Sequence, residues 1–380
     1  MISSETKPSI TSIEVKEMNM KKLFSYVYHN GPVSKQELAY NLSLSIPTVN
    51  LYLKNYEKAN IIIQEGTFDS TGGRKAAAYK CNSSHIFSVG VYITRFFFII
   101  TIINFIGEEI FSQKIKRAFE LSETYGRDIN LQVDKAISSC QIDPAKIYGV
   151  GFSIPGTIEK NNDHYTVLFS GSLSDKSWSF DVIGKYCKYP YIVDNDAYFG
   201  SYAEARIDNF ESNFAFLNIA SGVGGAIFID GKHFSNQHET TAKFGHLIIQ
   251  PNGNLCNCGR KGCLQTYIST DVLSDNLNIS LEQFFADLKC NRDYQEIFNR
   301  YLDYLCIGIS NLRLILGLDV VVAGETIEYL ASYEDVILKK LSDLDVFDSK
   351  RYFRFTKNKK ANSSCKGAAL KIVSEYIATI

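Results

Sequence analysis

The stretch GHLIIQPNGNLCNCGRKGCLQ, residues 245–265, sets Cys256, Cys258 and Cys263 within eight residues and places His246 ten positions ahead of the first. Such a run constrains the fold because closely spaced thiols beside an imidazole must be folded around a point or left idle. Three cysteines and one histidine form a Cys₃His donor set, which suits tetrahedral zinc. Gly253, Gly259 and Gly262 allow the tight turns that would wrap the donors around one ion. Zinc would lower the thiol pKa values and hold thiolates in a closed, structural knot. The competing reading is three free thiols on a loop beside an unrelated histidine. The second ring nitrogen of His246 makes its orientation matter to whatever lies beside the knot.

The setting of those thiols follows from the rest of the chain. The opening residues MISSETKPSITSIEVKEMNMKK lack the apolar core of a signal peptide, so a cytoplasmic, reducing compartment is expected, with thiols or metal ligands rather than disulfides. The most apolar run, FFFIITIINFIG at 96–107, is too short to span a bilayer and reads as a buried strand, so no membrane partner is expected. Cys81, Cys140, Cys187, Cys290, Cys306 and Cys365 lack ligand-like spacing and read as buried thiols. Trp178 and most Tyr and Phe residues read as core, and Arg260 and Lys261 as a solvated loop tip.

At 380 residues the chain is long enough for two or three domains, and its net charge of −1 carries no bulk signal for nucleic acid. The charge is uneven, however. Residues 14–80 hold eight Lys and one Arg against five Glu and one Asp, a balance of +3, leaving −4 for the remainder.

That basic segment reads as three short helices and a hairpin. Leu23, Phe24, Val27 and Tyr28 share a face of the first helix, which Gly31-Pro32 stops. Ser34 and Glu37 form a capping box for the second. Ser45 can cap a third, with Pro47 in its first turn and Val49 and Leu53 facing inward. Ile46, Thr48, Asn50, Tyr52 and Lys54 are then expected toward solvent. Two β-rich pieces, 61–64 and 75–79, flank a Gly72-Gly73-Arg74 tip.

This order is that of a winged helix-turn-helix, whose last helix lies in the major groove of DNA. Ser45, Thr48, Asn50, Tyr52, Lys54, Gly72, Gly73, Arg74 and Lys75 are the expected DNA-contacting residues, with Arg74 suited to a minor groove. A small helical domain used for protein contacts is the alternative.

From Ser88 onward strands alternate with helices and loops in two similar-sized halves, which argues for α/β architecture. A strand pair or triple is expected in IFSVGVYITRFFFIITIINFIGEEIFSQKIK, with a turn near Asn104–Gly107, and further strands in KIYGVGFSI, YIVDN, NFAFLNIA, VGGAIFI and LDVVVAG. The strand YIVDN ends at Asp194-Asn195-Asp196 and runs into a helix that Asn195 or Asp196 could cap. A Pro155-Gly156 turn and an Asp230-Gly231 hairpin signal punctuate the pattern.

Taken together, GHLIIQPNGNLCNCGRKGCLQTYIS, DNDAYFGSYAE, SGVGGAIFIDGK and STGGRK resemble the ROK family of sugar kinases and sugar-responsive repressors, and its repressor branch in particular. The zinc segment is the most specific of these, and the resemblance runs from about residue 14 to the KGAAL near 366–370. It implies a winged helix-turn-helix over 1–82 followed by a two-lobed, actin-like α/β sugar-kinase fold. The lobes would span 83–200 and 201–380, with the last helix returning to the first. It further implies a sugar cleft, double-stranded operator DNA as partner, and a homodimer or dimer of dimers.

The resemblance also carries residue roles. Asp196 matches the base that kinases of the family use on the sugar hydroxyl, here a vestigial position, and Asn195 adjoins it. His246 matches a sugar contact from the zinc side, and Pro155 and Gly156 line the same expected effector site. Two family glutamates that accept from sugar hydroxyls are Lys243 and Gln265 here, and a lysine accepts no hydrogen bond. That change suits an anionic ligand, such as a sugar phosphate or uronic acid, or else a degenerate pocket.

Kinases of the family carry an early Asp-x-Gly-Gly-Thr loop that cradles phosphate. Tyr92 stands in place of its Asp, and Thr94 and Arg95 replace the glycines, although Gly222, Gly224 and Gly225 remain in a second loop. A regulator of carbohydrate genes, of xylose type, without catalytic residues is therefore expected. An ATP-dependent sugar kinase is the alternative, and a protein held by a partner protein a third.

Overall fold

The computed structural model describes residues 11–68, 75–162, 164–171, 173–174, 176–235, 241–344, 347, 351–358 and 363–380. The chain divides into two compact units. The first comprises residues up to Phe87 with Asn104–Glu108 and Tyr376–Ile380, and the second Ser88–Ile103 with Glu109–Glu375.

The first unit opens with α1 (Ser12–Asn30), which Thr11 and Glu14 start with a capping box. Its first two turns are exposed, so only Leu23, Phe24 and Val27 are fully buried. Ser34 and Glu37 cap α2 (Lys35–Leu42) in the expected way. Ser43 ends it in the left-handed region, and Ser45 caps α3 (Ile46–Lys58). The wing is β1 (Ile62–Thr67) paired antiparallel with β2 (Ala77–Cys81), both strands lying slightly C-terminal to the expected pieces. Val33 bridges to Tyr79, tying the turn before α2 to the hairpin. Phe24, Tyr28 and Phe105 cluster with ring centroids 5.6–6.1 Å apart, and the Tyr28 hydroxyl donates to the Phe105 carbonyl.

In the second unit, β3 (Phe87–Ile93), β4 (Phe97–Asn104), β5 (Glu109–Lys116), β6 (Ile147–Ile154) and β10 (Tyr191–Asn195) form one five-stranded sheet, ordered β10-β6-β3-β4-β5. Between them lie α4 (Glu123–Ser139), the short α5 (Asp181–Gly184) and a small antiparallel sheet of β7 (Thr157–Asn161), β8 (His164–Phe169) and β9 (Trp178–Ser179). After β10 comes α6 (Asp196–Ile207).

A second five-stranded sheet holds β11 (Phe214–Ile219), β12 (Val223–Ile229), β13 (Lys232–His233), β14 (Asp319–Gly324) and β15 (Phe353–Phe355), ordered β13-β12-β11-β14-β15. β11 is buried along its whole length, as a strand covered on both faces must be. The helices of this half are α7 (Gln265–Ile268), α8 (Leu281–Asp287), α9 (Arg292–Leu316), α10 (Ile327–Leu330) and α11 (Glu334–Leu344). α9 buries Phe298, Tyr301, Leu302, Leu305, Ile309 and Leu312, a three-and-four spacing that presents one stripe to the core around β11 and β14.

The chain ends in α12 (Ser363–Thr379), whose buried Gly367, Ala368 and Ala369 let it lie close to its neighbours. A Cβ on Gly90 of β3 would stand 1.9 Å from the Cys365 carbonyl oxygen, so only glycine admits the contact.

Among the thiols outside the cluster, Cys81, Cys306 and Cys365 are buried as expected. Cys140 and Cys187 are only half-buried and Cys290 is exposed. Cys290 lies in the turn between α8 and α9.

Candidate functional site

The exposed face of α3 differs from the one expected. Val49, Tyr52, Leu53 and Tyr56 are buried, and Tyr52 retains only 5% of its surface. The expected outward set of 46, 48, 50, 52 and 54 alternates with period two, as a strand would. A helix turns 3.6 residues at a time, and its outward stripe here is Ile46, Asn50, Leu51 and Lys54, with Thr48 half-buried. Ser45 is exposed, but its hydroxyl is engaged at the cap with the Thr48 backbone N–H and hydroxyl. Lys75 is exposed two residues before the second wing strand, and Gly72, Gly73 and Arg74 lie outside the described residues.

The Cys₃His set converges. One donor atom from each of His246, Cys256, Cys258 and Cys263 lies within 4.8 Å of all the others. Cys258 Sγ and Cys263 Sγ are 3.7 Å apart, and Cys256 Sγ lies 3.6 Å from His246 Nδ1. Bonds of about 2.3 Å to zinc would give tetrahedral S···S edges of about 3.8 Å, so these two pairs already stand near coordination distance. Three soft thiol donors and one imidazole therefore fit a zinc ion in both chemistry and spacing.

The turn that makes this possible is Gly262, at φ +81°, where a Cβ would meet the Gln250 carbonyl oxygen at 1.8 Å. Burial, with the charges of Arg260 and Lys243 nearby, holds the His246 pKa below its ordinary value and favours the neutral ring a metal needs. Arg260, expected as a solvated tip, is exposed but folds back to donate to the His246 carbonyl at 3.1 Å.

Beside the cluster lies a cavity of about 100 Å³, several times the volume one water needs. Pro155, Gly156, Asn195, Asp196, Lys243, His246 and Gln265 all line it. These seven residues, picked out across 110 positions of sequence, meet at one place.

Asn195 sits at the end of β10, where its Oδ1 caps α6 through the Ala197 and Tyr198 N–H groups and its amide donates to the Gly156 carbonyl. Asp196 follows in the first turn of α6 and is buried. Its carboxylate accepts from Asn218 Nδ2 at 2.9 Å, and burial raises its pKa to about 6. Lys243 Nζ donates to the Thr157 hydroxyl at 3.0 Å. Gln265 turns toward the cluster, donating to Asn257 Oδ1 at 2.8 Å and to Cys256 Sγ at 3.1 Å.

Sequence reasoning missed Thr157, Phe169, Ser170, Gly171 and Asn257, which also line the cavity. Asn257 was open to inference, since it sits between two clustered thiols. The others depend on where the β7–β8 hairpin folds, which no local pattern announces.

On the far side of Asp196 stands the segment that departs from the phosphate loop. Tyr92 is buried and sets its hydroxyl 3.5 Å from Asp196 Oδ2. Thr94 closes the turn by donating to, and accepting from, Phe97. Arg95 reaches Asp275 at 3.8 Å. Burial raises Asp271 and Glu325 to about 6 and 7, each with neighbouring carboxylates adding to it and a cation, Arg95 or Lys114, pulling the other way.

The ROK family model matches residues 98–374. A putative xylose repressor from Caldicellulosiruptor sp. (strain Rt8B.4) is 23% identical over 351 residues, covering 86% of this chain and 87% of that protein. The crystal structure of a ROK family transcriptional regulator, a homolog of the E. coli MLC protein, superposes with a TM-score of 0.74 at 17% identity, covering 96% of this chain and 98% of that one. A ROK family glucokinase from Streptomyces griseus, in complex with glucose and AMPPNP, covers 75% of this chain and 98% of its own, with a TM-score of 0.61 at 18% identity. With the family model matching well over half its length, the chain belongs to the ROK family.

Proposed function

We propose that the protein is a sugar-responsive, DNA-binding repressor of carbohydrate genes and not a kinase. The observation that carries this reading is the pairing of one cavity with one obstruction. Seven residues suited to sugar contact surround the cavity, while Tyr92 fills the position from which a kinase would direct its phosphate loop. Mutual coverage of 86% and 87% with a putative xylose repressor supports it, and so does a kinase that covers only three-quarters of this chain. The acidic groups Asp196, Asp271, Asp275 and Glu325 on that side of the cleft would also repel a triphosphate.

In this reading residues 1–82 form the DNA-binding head, 83–200 and 201–380 the two lobes, and a dimer presents two heads to a pseudo-palindromic operator in the cytoplasm. α3 enters the major groove with Asn50 and Lys54 outward, and Lys75 and the wing tip meet the backbone or minor groove. His246, Cys256, Cys258 and Cys263 hold zinc, which supplies a fixed tetrahedral anchor for the loop bearing His246. Asp196 and His246 bind sugar hydroxyls. Binding changes DNA affinity to the extent that the sugar prefers one arrangement of the protein over another.

Fluorescence anisotropy on operator-bearing DNA across a salt series, with and without sugars, tests the reading. Salt-sensitive specific binding that a sugar releases is expected. Binding no tighter than to random DNA at every salt concentration would refute it. A coupled ADP-release assay measures the kinase alternative, which the kept carboxylate of Asp196 favours, and no turnover is expected. Chelating the metal should weaken sugar response before it abolishes DNA contact.

A further inference from the structure

The cavity around Asp196 and His246 adjoins a second and larger one of about 410 Å³, which shares Asn195, Gly225 and Lys243 with it. The second cavity is walled by Lys232 and His233 of β13, Asp194 of β10, and Lys371 of α12. Tyr198 and Tyr202, one turn apart on α6, form an aromatic side. Three lysines face a single carboxylate, a balance of +2 among the described lining residues. A third cavity, which shares Asp194 and Lys371, sets Glu159, Asp194 and Glu375 against Lys160 and Lys371, a balance of −1. The positive charge is therefore concentrated in the compartment that opens onto the candidate sugar pocket.

These lysines do not form the solvated face of one helix. They come from a hairpin strand, a loop and the last helix of the chain, and the fold brings them to one cavity. Lys371 is half-buried with its ammonium 5.7 Å from the centre of the Tyr202 ring, which fixes its reach. His233 stands edge-on to Tyr198 at 4.7 Å, and burial lowers its pKa to about 4, so it offers a neutral ring for hydrogen bonding at physiological pH. Ser235 and Thr241 add hydroxyls to the wall.

We propose that this compartment binds the anionic group of an acidic sugar, a phosphate ester or a carboxylate, while the sugar ring occupies the adjoining pocket. The proposal rests on the effector reading above and names its ligand class. Lys243 stands at the junction, where a ring bound against Asp196 and His246 would project its acidic substituent. Ammonium groups suit phosphate and carboxylate alike as point charges, so the wall fixes the charge and leaves the anion's shape open.

Titration calorimetry on the full chain tests it, with glucose, galactose and mannose each compared with its 6-phosphate and its uronic acid. At least one acidic form should bind about tenfold tighter than its neutral parent at low salt, the preference shrinking as salt rises. The phosphate and carboxylate arms show which anion is taken. Lys371→Gln should cut the acidic-to-neutral affinity ratio by roughly threefold or more, and the exposed Lys232→Gln provides the same reading should the first variant fold poorly.

Neutral parents that bind as tightly as every acidic form, or an acidic preference that survives both substitutions, would overturn the proposal. Operator anisotropy run in parallel separates the two readings. An acidic sugar that binds without releasing DNA supports the compartment and counts against the repressor. A neutral sugar that releases DNA while no acidic form binds leaves the repressor standing and overturns the compartment.

Discussion

Asp196 shows how one residue can be costly to the fold and useful to the site. Its carboxylate is buried beside Tyr92 and Asn218, and its pKa rises from an ordinary 3.8 to about 6. A raised carboxyl pKa means that the folded protein holds a proton that the unfolded chain has already lost between those two values. Stability from this group is therefore present below the unfolded pKa and lost as pH climbs through the folded one. At neutral pH the cost is about 3 kcal/mol, and Asp196→Asn should recover it while losing sugar affinity. Thermal unfolding of variant and parent at pH 4, 5, 6 and 7.5 measures this. The variant's advantage should grow with pH, and a constant difference would show that the carboxyl does not titrate in the folded state.

Gly262 makes the opposite case, a residue with no side chain on which four others depend. Its positive φ and the Gln250 oxygen 1.8 Å from any Cβ leave no room even for alanine. Gly262→Ala retains all four donors, yet the turn that carries Cys263 would have to open, at a cost of about 1–3 kcal/mol in backbone strain alone. Metal content by mass spectrometry of the native protein should fall well below one equivalent. A full equivalent would show that the loop can rearrange around the ion.

At the scale of elements, α3 divides into a buried side and an exposed side that the proposed function turns to DNA, and the two should fail differently. Tyr52→Ala removes a core ring and should cost about 3 kcal/mol of stability, with DNA binding lost only through unfolding. Lys54→Ala should leave stability within about 0.5 kcal/mol and lower the slope of log affinity against log salt by about one, as loss of a phosphate contact does. Denaturant titration and anisotropy on both variants separate the outcomes. A Tyr52→Ala protein that is stable but blind to DNA would restore the outward reading of that residue.

Elements were legible where chemistry is local. The Ser34–Glu37 capping box, the strand-to-helix switch at Asn195 and the cysteine spacing all act within a few residues, and the structure places each where the pattern indicates. Tyr52 departs from the expectation because the four-apart pair Val49 and Leu53 marks only part of the inner face. The three-apart neighbours Tyr52 and Tyr56 belong to the same stripe. The early start of α1 went unseen because its first turns bury nothing and so carry no periodic signal. The β7–β9 sheet escaped notice for another reason. β9 is two residues long, and its pairing is fixed by tertiary contact, so the part of the cavity it positions was invisible as well.

For the whole molecule, the proposed function sets sugar and operator on different parts of one chain, so any influence between them must run both ways. If a sugar weakens operator affinity by some factor, the operator must weaken sugar affinity by the same factor, because the free-energy cycle closes. A coupling of about 1–3 kcal/mol, roughly 5- to 150-fold, is the usual range for such a switch. Calorimetric sugar titrations with and without saturating operator, set beside anisotropy with and without saturating sugar, should return equal factors. A sugar that displaces DNA but binds equally well to the free and DNA-bound protein would break that equality. Its effect would then lie outside the binding equilibrium, for instance in aggregation or in competition for DNA. Equal factors that both vanish after metal removal would place the Cys₃His loop on the route between the two proposed sites. Equal factors that survive it would leave the loop a purely local support for the pocket.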